Sequence, residues 1–94
     1  MAFARVVSFE GVDATRVAQV ASEIENEPRP DEIPATEILM LHDPDANRSL
    51  VIQFFETEED YSQGDAALNA MPSGDTPGRR ASVDRYEVAF RRTV

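Results

Sequence analysis

A change of periodicity near residue 57 constrains the fold of this chain more than any other sequence feature. The run at residues 50–55 is apolar on both sides of an extended chain, with Leu50, Ile52 and Phe54 on one side and Val51, Gln53 and Phe55 on the other. Thr57 follows, a residue that caps free helix amides, and acidic residues at 58–60 suit the positive end of a helix dipole. The pattern predicts a central strand that leads directly into a helix.

The rest of the chain supplies one more helix and three more strands. Asp13 is a suitable cap for a helix over residues 14–26, and proline-rich stretches at 28–34 and 72–78 predict loops. Alternation predicts strands over residues 3–9, 35–42, 49–55 and 82–91, and the second helix spans 58–70. In the last strand we expect Tyr86, Val88 and Phe90 to point inward. The order predicts a single α+β domain, residues 1–94, with the ferredoxin-like βαββαβ arrangement: a four-stranded antiparallel sheet carrying two helices on one face.

Two helices on one face leave the other face of this sheet without cover. If His42 lies opposite Ser49 in the central hairpin, neither side of the hairpin is polar. The uncovered set is then either Ile38, Met40, Val51 and Phe55 or Leu39, Leu41, Leu50, Ile52 and Phe54. Either set is too apolar for a monomer to expose, so we expect two copies to pair through their sheets as a homodimer.

Charge and composition exclude several classes of function. The net charge of −9 argues against nucleic-acid partners, whose binding depends on cationic contacts to phosphates. No apolar run approaches the roughly 20 residues that span a bilayer, and the first residues already alternate as a strand, so we expect no membrane partner and a cytoplasmic protein. The chain has no cysteine and a single histidine, which argues against a zinc site, and we expect no metal.

A few side chains are candidates for chemistry. His42 is the candidate catalytic residue, because histidine suits proton transfer near neutral pH; a solvent-facing hairpin histidine is the structural alternative. The candidate ligand-binding residues are Gln53, Tyr61, Arg85 and Tyr86, polar groups set among aromatic residues that would orient a planar ligand. Packing in the core explains the aromatic residues equally well, and Arg85 is also the arginine best placed to bind an anion.

The element order, the length and the segment from Leu41 through Glu59 resemble the dimeric α+β barrel superfamily, and within it the antibiotic-biosynthesis-monooxygenase-like (ABM-like) proteins. The resemblance implies a pocket between sheet and helices in each subunit. The chain has no tryptophan, which several oxygenases and haem degraders of that superfamily use, and helix two has no histidine for iron. We therefore expect no cofactor.

Two functions follow as hypotheses. One is a cofactor-independent, monooxygenase-like or isomerase-like enzyme acting on a small hydrophobic metabolite. The other is a non-catalytic dimer that binds a ligand or has a structural role. A preformed cavity with convergent polar groups favours the enzyme, and a core filled by its own side chains favours the second.

Overall fold

The computed structural model describes residues 2–26, 32–70 and 77–94, so most of the two predicted proline-rich loops lies outside the described residues. The predicted order of elements is confirmed: β1 (Phe3–Glu10), α1 (Ala14–Asn26), β2 (Glu37–Asp43), β3 (Arg48–Phe55), α2 (Glu58–Asn69) and β4 (Arg79–Glu87). The strands form one antiparallel sheet in the order β2-β3-β1-β4. This is the predicted ferredoxin-like fold.

Both helices begin where their capping residues predict. The carboxylate of Asp13 accepts a hydrogen bond from the backbone N–H of Arg16 at 2.7 Å, which opens α1. The hydroxyl of Thr57 accepts one from the backbone N–H of Asp60 at 3.0 Å, which opens α2. Each cap satisfies an amide that the first turn of a helix leaves without a partner.

Replacing Thr57 with alanine should lower the free energy of unfolding by about 0.5–2 kcal/mol, because the Asp60 amide loses its acceptor. Thr57→Ser, which keeps the hydroxyl, is the matched control and should retain most of the stability. Urea denaturation of the three proteins measures the effect. Equal midpoints for Thr57→Ala and the wild type would contradict the assignment of the cap.

The central hairpin has the register that the sequence analysis considered. His42 pairs with Ser49, which places Val51, Gln53 and Phe55 of β3 on the same face as Phe3 and Val7 of β1. Both helices pack on this face, because Val17 of α1 and Leu68 of α2 contact its buried residues. We call it the helix-side face.

The opposite face of the sheet has no helix on it, and we call it the open face. Many of its side chains are apolar, and several of these are substantially exposed: Leu41 is 50% and Tyr86 is 56% accessible. The structure therefore decides between the two sets that the sequence left open. The apolar residues of the open face are Ala4, Val6, Leu39, Leu41, Leu50, Ile52, Phe54 and Tyr86, and the same face also carries polar residues, among them Ser8, Glu37, Ser82 and Asp84.

The prediction for the last strand was wrong in orientation and extent. β4 ends at Glu87, and Tyr86 lies on the open face rather than inward. Pairing with β1 puts Arg85 opposite Arg5, so Arg85, and not Tyr86, lies on the helix-side face. Phe90, also predicted inward, follows the strand and is 80% exposed.

Candidate functional site

A polar layer divides the core on the helix-side face into two apolar clusters. One cluster contains Phe3, Ile33, Ala35, Phe55 and Tyr61, and the other contains Val7, Phe9 and Val12. Arg5 and Gln53 lie between them, since Arg5 is midway between Phe3 and Val7 on β1 and pairs with Gln53 on β3. Arg5 is only 4% exposed and Gln53 only 8%. Charged and amide side chains are seldom buried at the centre of a sheet, so this row is unusual.

The guanidinium of Arg5 is held by α2. Its Nε donates to Asp65 Oδ1 at 2.8 Å, and its Nη2 donates to Asn69 Oδ1 at 2.9 Å. Arg80 of β4 donates from Nη1 to the same Asn69 oxygen at 3.0 Å. We call Arg5, Gln53, Asp65 and Asn69 the polar layer, and Arg80 lies at its exposed end.

Gln53 is the unsatisfied member of this layer. Its Oε1 is buried and has no hydrogen-bond partner among the described residues. A buried acceptor without a donor costs about 1–3 kcal/mol, and such groups in folded proteins are rare. The atom is therefore the first place at which to expect a water or ligand donor.

Tyr61 lies next to the polar layer and packs by its ring edge against two phenylalanines, with ring centroids 5.5 Å from Phe55 and 6.4 Å from Phe3. Burial, and secondarily the charge of Asp65, raises the pKa of the Tyr61 hydroxyl above its usual value. The hydroxyl consequently stays protonated at neutral pH. It is suited to donate a hydrogen bond and not to act as a base.

Arg85 covers the aromatic cluster from the side of β4. Its guanidinium carbon lies 4.7 Å from the ring centroid of Phe3 and 5.2 Å from that of Tyr61, and Nη2 lies 3.2 Å from Glu58 Oε1. These contacts combine cation–π attraction with an ion pair. Arg85 is thus engaged by aromatic rings and a carboxylate, in contrast to Arg80.

The structure separates the predicted site residues into three places. Gln53, Tyr61 and Arg85 share the helix-side face around α2, whereas Tyr86 points to the open face. His42 is four residues along β2 from Ile38, the register partner of Gln53, which is about 13 Å at the rise of a strand. Its Nε2 lies 3.3 Å from the carbonyl oxygen of Val12.

Sequence reasoning missed Arg5, Asp65, Asn69 and Arg80. The alternation of β1 carried a signal, because Arg5 interrupts an otherwise apolar side formed by Phe3, Val7 and Phe9. Asp65 and Asn69 are four residues apart and therefore share one side of α2. Nothing in the sequence indicates that this side meets Arg5.

Other features of the described residues are less suggestive of a site. An open depression on the exposed side of α1, lined by residues that include Gln19, Ser22 and Glu23, contains no member of the polar layer. The described part of the chain has no cluster of three histidine, aspartate or glutamate side chains that could hold a metal ion. Within the same residues, no helix is long and apolar enough to span a membrane.

Comparison with known proteins gives a structural likeness only. Neither protein-family models nor curated protein sequences match the chain. A crystal structure of a "putative Antibiotic biosynthesis monooxygenase" from Chloroflexus aurantiacus J-10-fl matches it with a TM-score of 0.62, covering 99% of this chain and 98% of that one. The chain has the ABM-like fold. Only 8% of the aligned residues are identical, so the likeness establishes the fold and leaves the activity to the site itself.

Proposed function

We propose that this ABM-like protein is a cofactor-independent monooxygenase-like enzyme that binds a small hydrophobic metabolite between its sheet and α2. The observation that carries the proposal is the buried, unpaired Oε1 of Gln53, which lies between two apolar clusters. A ligand hydroxyl that donates to this oxygen removes the cost of leaving it unpaired. The apolar clusters on either side would contact a ring system that inserts between them.

An electron-rich phenol fits this environment. Conversion of a phenol to a quinone by O₂ adds one oxygen atom to the ring and releases the other as water. All four electrons come from the substrate, so no external reductant is needed. Gln53 orients the neutral phenol by accepting a hydrogen bond from its hydroxyl, which fixes the ring for reaction with O₂.

Tight packing around Phe55 favours a second candidate, a protein that binds the ligand without transforming it. Phe55 is fully buried against Gly64 of α2, and Tyr61 is covered by Arg85. Such a filled cluster leaves little room for O₂ beside a bound ring. Binding in the absence of oxygen consumption distinguishes this candidate from the enzyme.

We also propose that the protein works as a homodimer paired through the open face. The support is the exposed apolar surface of β2 and β3 and the ABM-like fold, which resembles subunits of dimeric α+β barrels. In such a dimer each protomer keeps its own polar layer, because that layer lies on the opposite side of the sheet. Oligomeric state and ligand binding are then separable properties.

The activity test uses 1,5-dihydroxynaphthalene, a planar phenol whose oxidation to a hydroxynaphthoquinone consumes one O₂ and releases one water. We expect oxygen uptake and quinone absorbance to rise together with the wild type. Gln53→Leu should lower turnover about tenfold or more, because the hydroxyl loses its acceptor. Gln63→Leu, the same change at an exposed position of α2, is the matched control.

The variant His42→Gln tests the alternative that the chemistry takes place at His42 and not at Gln53. Abolished turnover in His42→Gln together with normal turnover in Gln53→Leu would contradict the proposal and make His42 the base. Saturable binding of the naphthol without oxygen uptake would favour the non-catalytic candidate. If the protein neither binds nor oxidises the naphthol, both candidates are contradicted.

A further inference from the structure

Two arginines from different strands meet at a single uncharged oxygen. Arg5 Nη2 and Arg80 Nη1 both donate to Oδ1 of Asn69, at 2.9 and 3.0 Å. Two guanidinium groups repel each other, and they normally gather where a carboxylate or phosphate oxygen balances them. An amide oxygen carries only a partial negative charge and therefore balances two guanidinium groups poorly.

The charges around this oxygen do not cancel among the described residues. Asp65 neutralises Arg5, with Nε to Oδ1 at 2.8 Å. Arg80 has no carboxylate partner in the described part of the chain, whereas its neighbour Arg79 pairs with Glu10. The cluster therefore has an excess of one positive charge in a protein whose net charge is −9. The carbonyl end of α2, which terminates at Asn69, offsets part of that excess.

The cluster also connects solvent to the buried part of the polar layer. Asn69 and Arg80 are exposed, while Arg5 is buried and lies beside Gln53 in the register of the sheet. An anionic group that enters from the side of Arg80 reaches Arg5 by displacing one amide side chain. The rest of the same molecule then lies next to the free oxygen of Gln53.

We propose that Arg5 and Arg80 form an anion-binding site, and that the amide oxygen of Asn69 occupies the position of a ligand's carboxylate oxygen. The inference rests on the proposed ligand site beneath α2 and adds a charge requirement to it: the metabolite is a small aromatic acid. A carboxylate brings a full negative charge to both guanidinium groups, which adds an ion pair that the neutral amide oxygen does not provide. A free phosphate ion offers the same chemistry, and the experiment separates the two sources.

The test compares benzoate with benzamide, a neutral molecule of nearly the same shape, and with inorganic phosphate. Binding is followed by NMR through the arginine Nε–H resonances, with those of Arg5 and Arg80 assigned by substitution. We expect benzoate to shift both resonances saturably and to bind at least about tenfold more tightly than benzamide. Tighter binding of phosphate than of benzoate would identify an inorganic anion site and overturn the aromatic-acid assignment.

Three variants distinguish a binding site from a structural tie. Arg80→Met should weaken benzoate binding about tenfold or more, while Arg79→Met, the same change at the adjacent, Glu10-paired arginine, should leave it unchanged. Asn69→Asp places a carboxylate between the two arginines. It should abolish benzoate binding, because the built-in anion occupies the site.

Failure of this inference is distinguishable from failure of the proposed function. Equal affinities for benzoate and benzamide, both weakened by Gln53→Leu and unaffected by Arg80→Met, would overturn the anion site and leave the hydrophobic ligand site in place. No saturable shift with benzoate or phosphate would overturn the anion site whatever the oxygen-uptake assay shows. Unchanged benzoate binding in Asn69→Asp would overturn it as well.

Discussion

Gly64→Ala should destabilise the fold by about 1–3 kcal/mol, although alanine is the better helix former. A Cβ atom at residue 64 would lie 2.4 Å from Cε1 and 2.7 Å from Cζ of the Phe55 ring. Phe55 is fully buried against Tyr61, so its ring has little freedom to move. Overpacking of this kind typically costs about 1–3 kcal/mol and occasionally more, against a gain of about 1 kcal/mol in helix propensity.

Denaturant unfolding of single and double variants measures this contact. Gln63→Ala, at the exposed neighbouring position, should change stability little and serves as the control for helix propensity. In the double variant Phe55→Leu/Gly64→Ala the smaller side chain leaves room for the methyl group. The two changes should then cost less together than the sum of the single changes. A Gly64→Ala protein more stable than the wild type would mean that α2 lies farther from β3.

Local signals in the sequence predict the centre of the fold well. The start of α2, the start of α1 and the pairing of His42 with Ser49 all depend on short-range chemistry: a capping side chain, or a turn of fixed length between alternating strands. Gly64 is a further local feature of this kind. A glycine in the middle of an amphipathic helix indicates either a close approach or a bend, and the structure shows the close approach to Phe55.

The edge strand was harder to predict, because alternation gives two sets of residues without saying which one faces the helices. Hydrophobicity alone favoured Tyr86 inward. In the structure, the register with β1 and the pairing of Arg85 with Glu58 turn the arginine to the helix side, where its guanidinium stacks on Phe3 and Tyr61. Long basic side chains cover apolar surface in this way while their charge stays near water.

Only the part of the candidate site that depends on local pattern could be predicted from the sequence. Gln53 and Tyr61 belong to β3 and α2, whose faces follow from local pattern, and both lie at the proposed site. Arg5 with Asp65 and Arg80 with Asn69 are contacts between residues 60 and 11 positions apart, respectively. Such contacts depend on how α2 crosses the sheet, which no short-range pattern in the chain determines.

The second large effect concerns the open face, where Ile52→Asp should convert a dimer into a folded monomer. Ile52 lies at the centre of this face, between Leu39 on β2 and Val6 on β1 in the register of the sheet. Burying apolar surface contributes about 25 cal/mol per Å², and a carboxylate at the centre of such an interface would be buried without a partner. The exposed Phe90 adds to the surface that a second copy would cover.

The segment after β4 supports the choice of this face. Arg91 forms an ion pair with Glu37 and lies 4.4 Å from the ring centroid of Phe54. It thus brings the chain that carries Phe90 alongside the open face. A second protomer placed on the open face would cover both the exposed leucines and this phenylalanine, which makes a self-complementary contact the simplest way to bury them.

Val51→Asp is the matched substitution on the opposite side of the same strand. Val51 packs with Val7, Phe9 and Val12 beneath α1, so a carboxylate there should destabilise the protomer itself. We therefore expect Ile52→Asp to sediment near 10.4 kDa with nearly native circular dichroism, and Val51→Asp to lose secondary structure. Gln63→Glu adds a negative charge at an exposed position and should remain dimeric. Sedimentation equilibrium at micromolar concentration decides the matter, since a wild-type protein that is monomeric under these conditions contradicts the proposed homodimer.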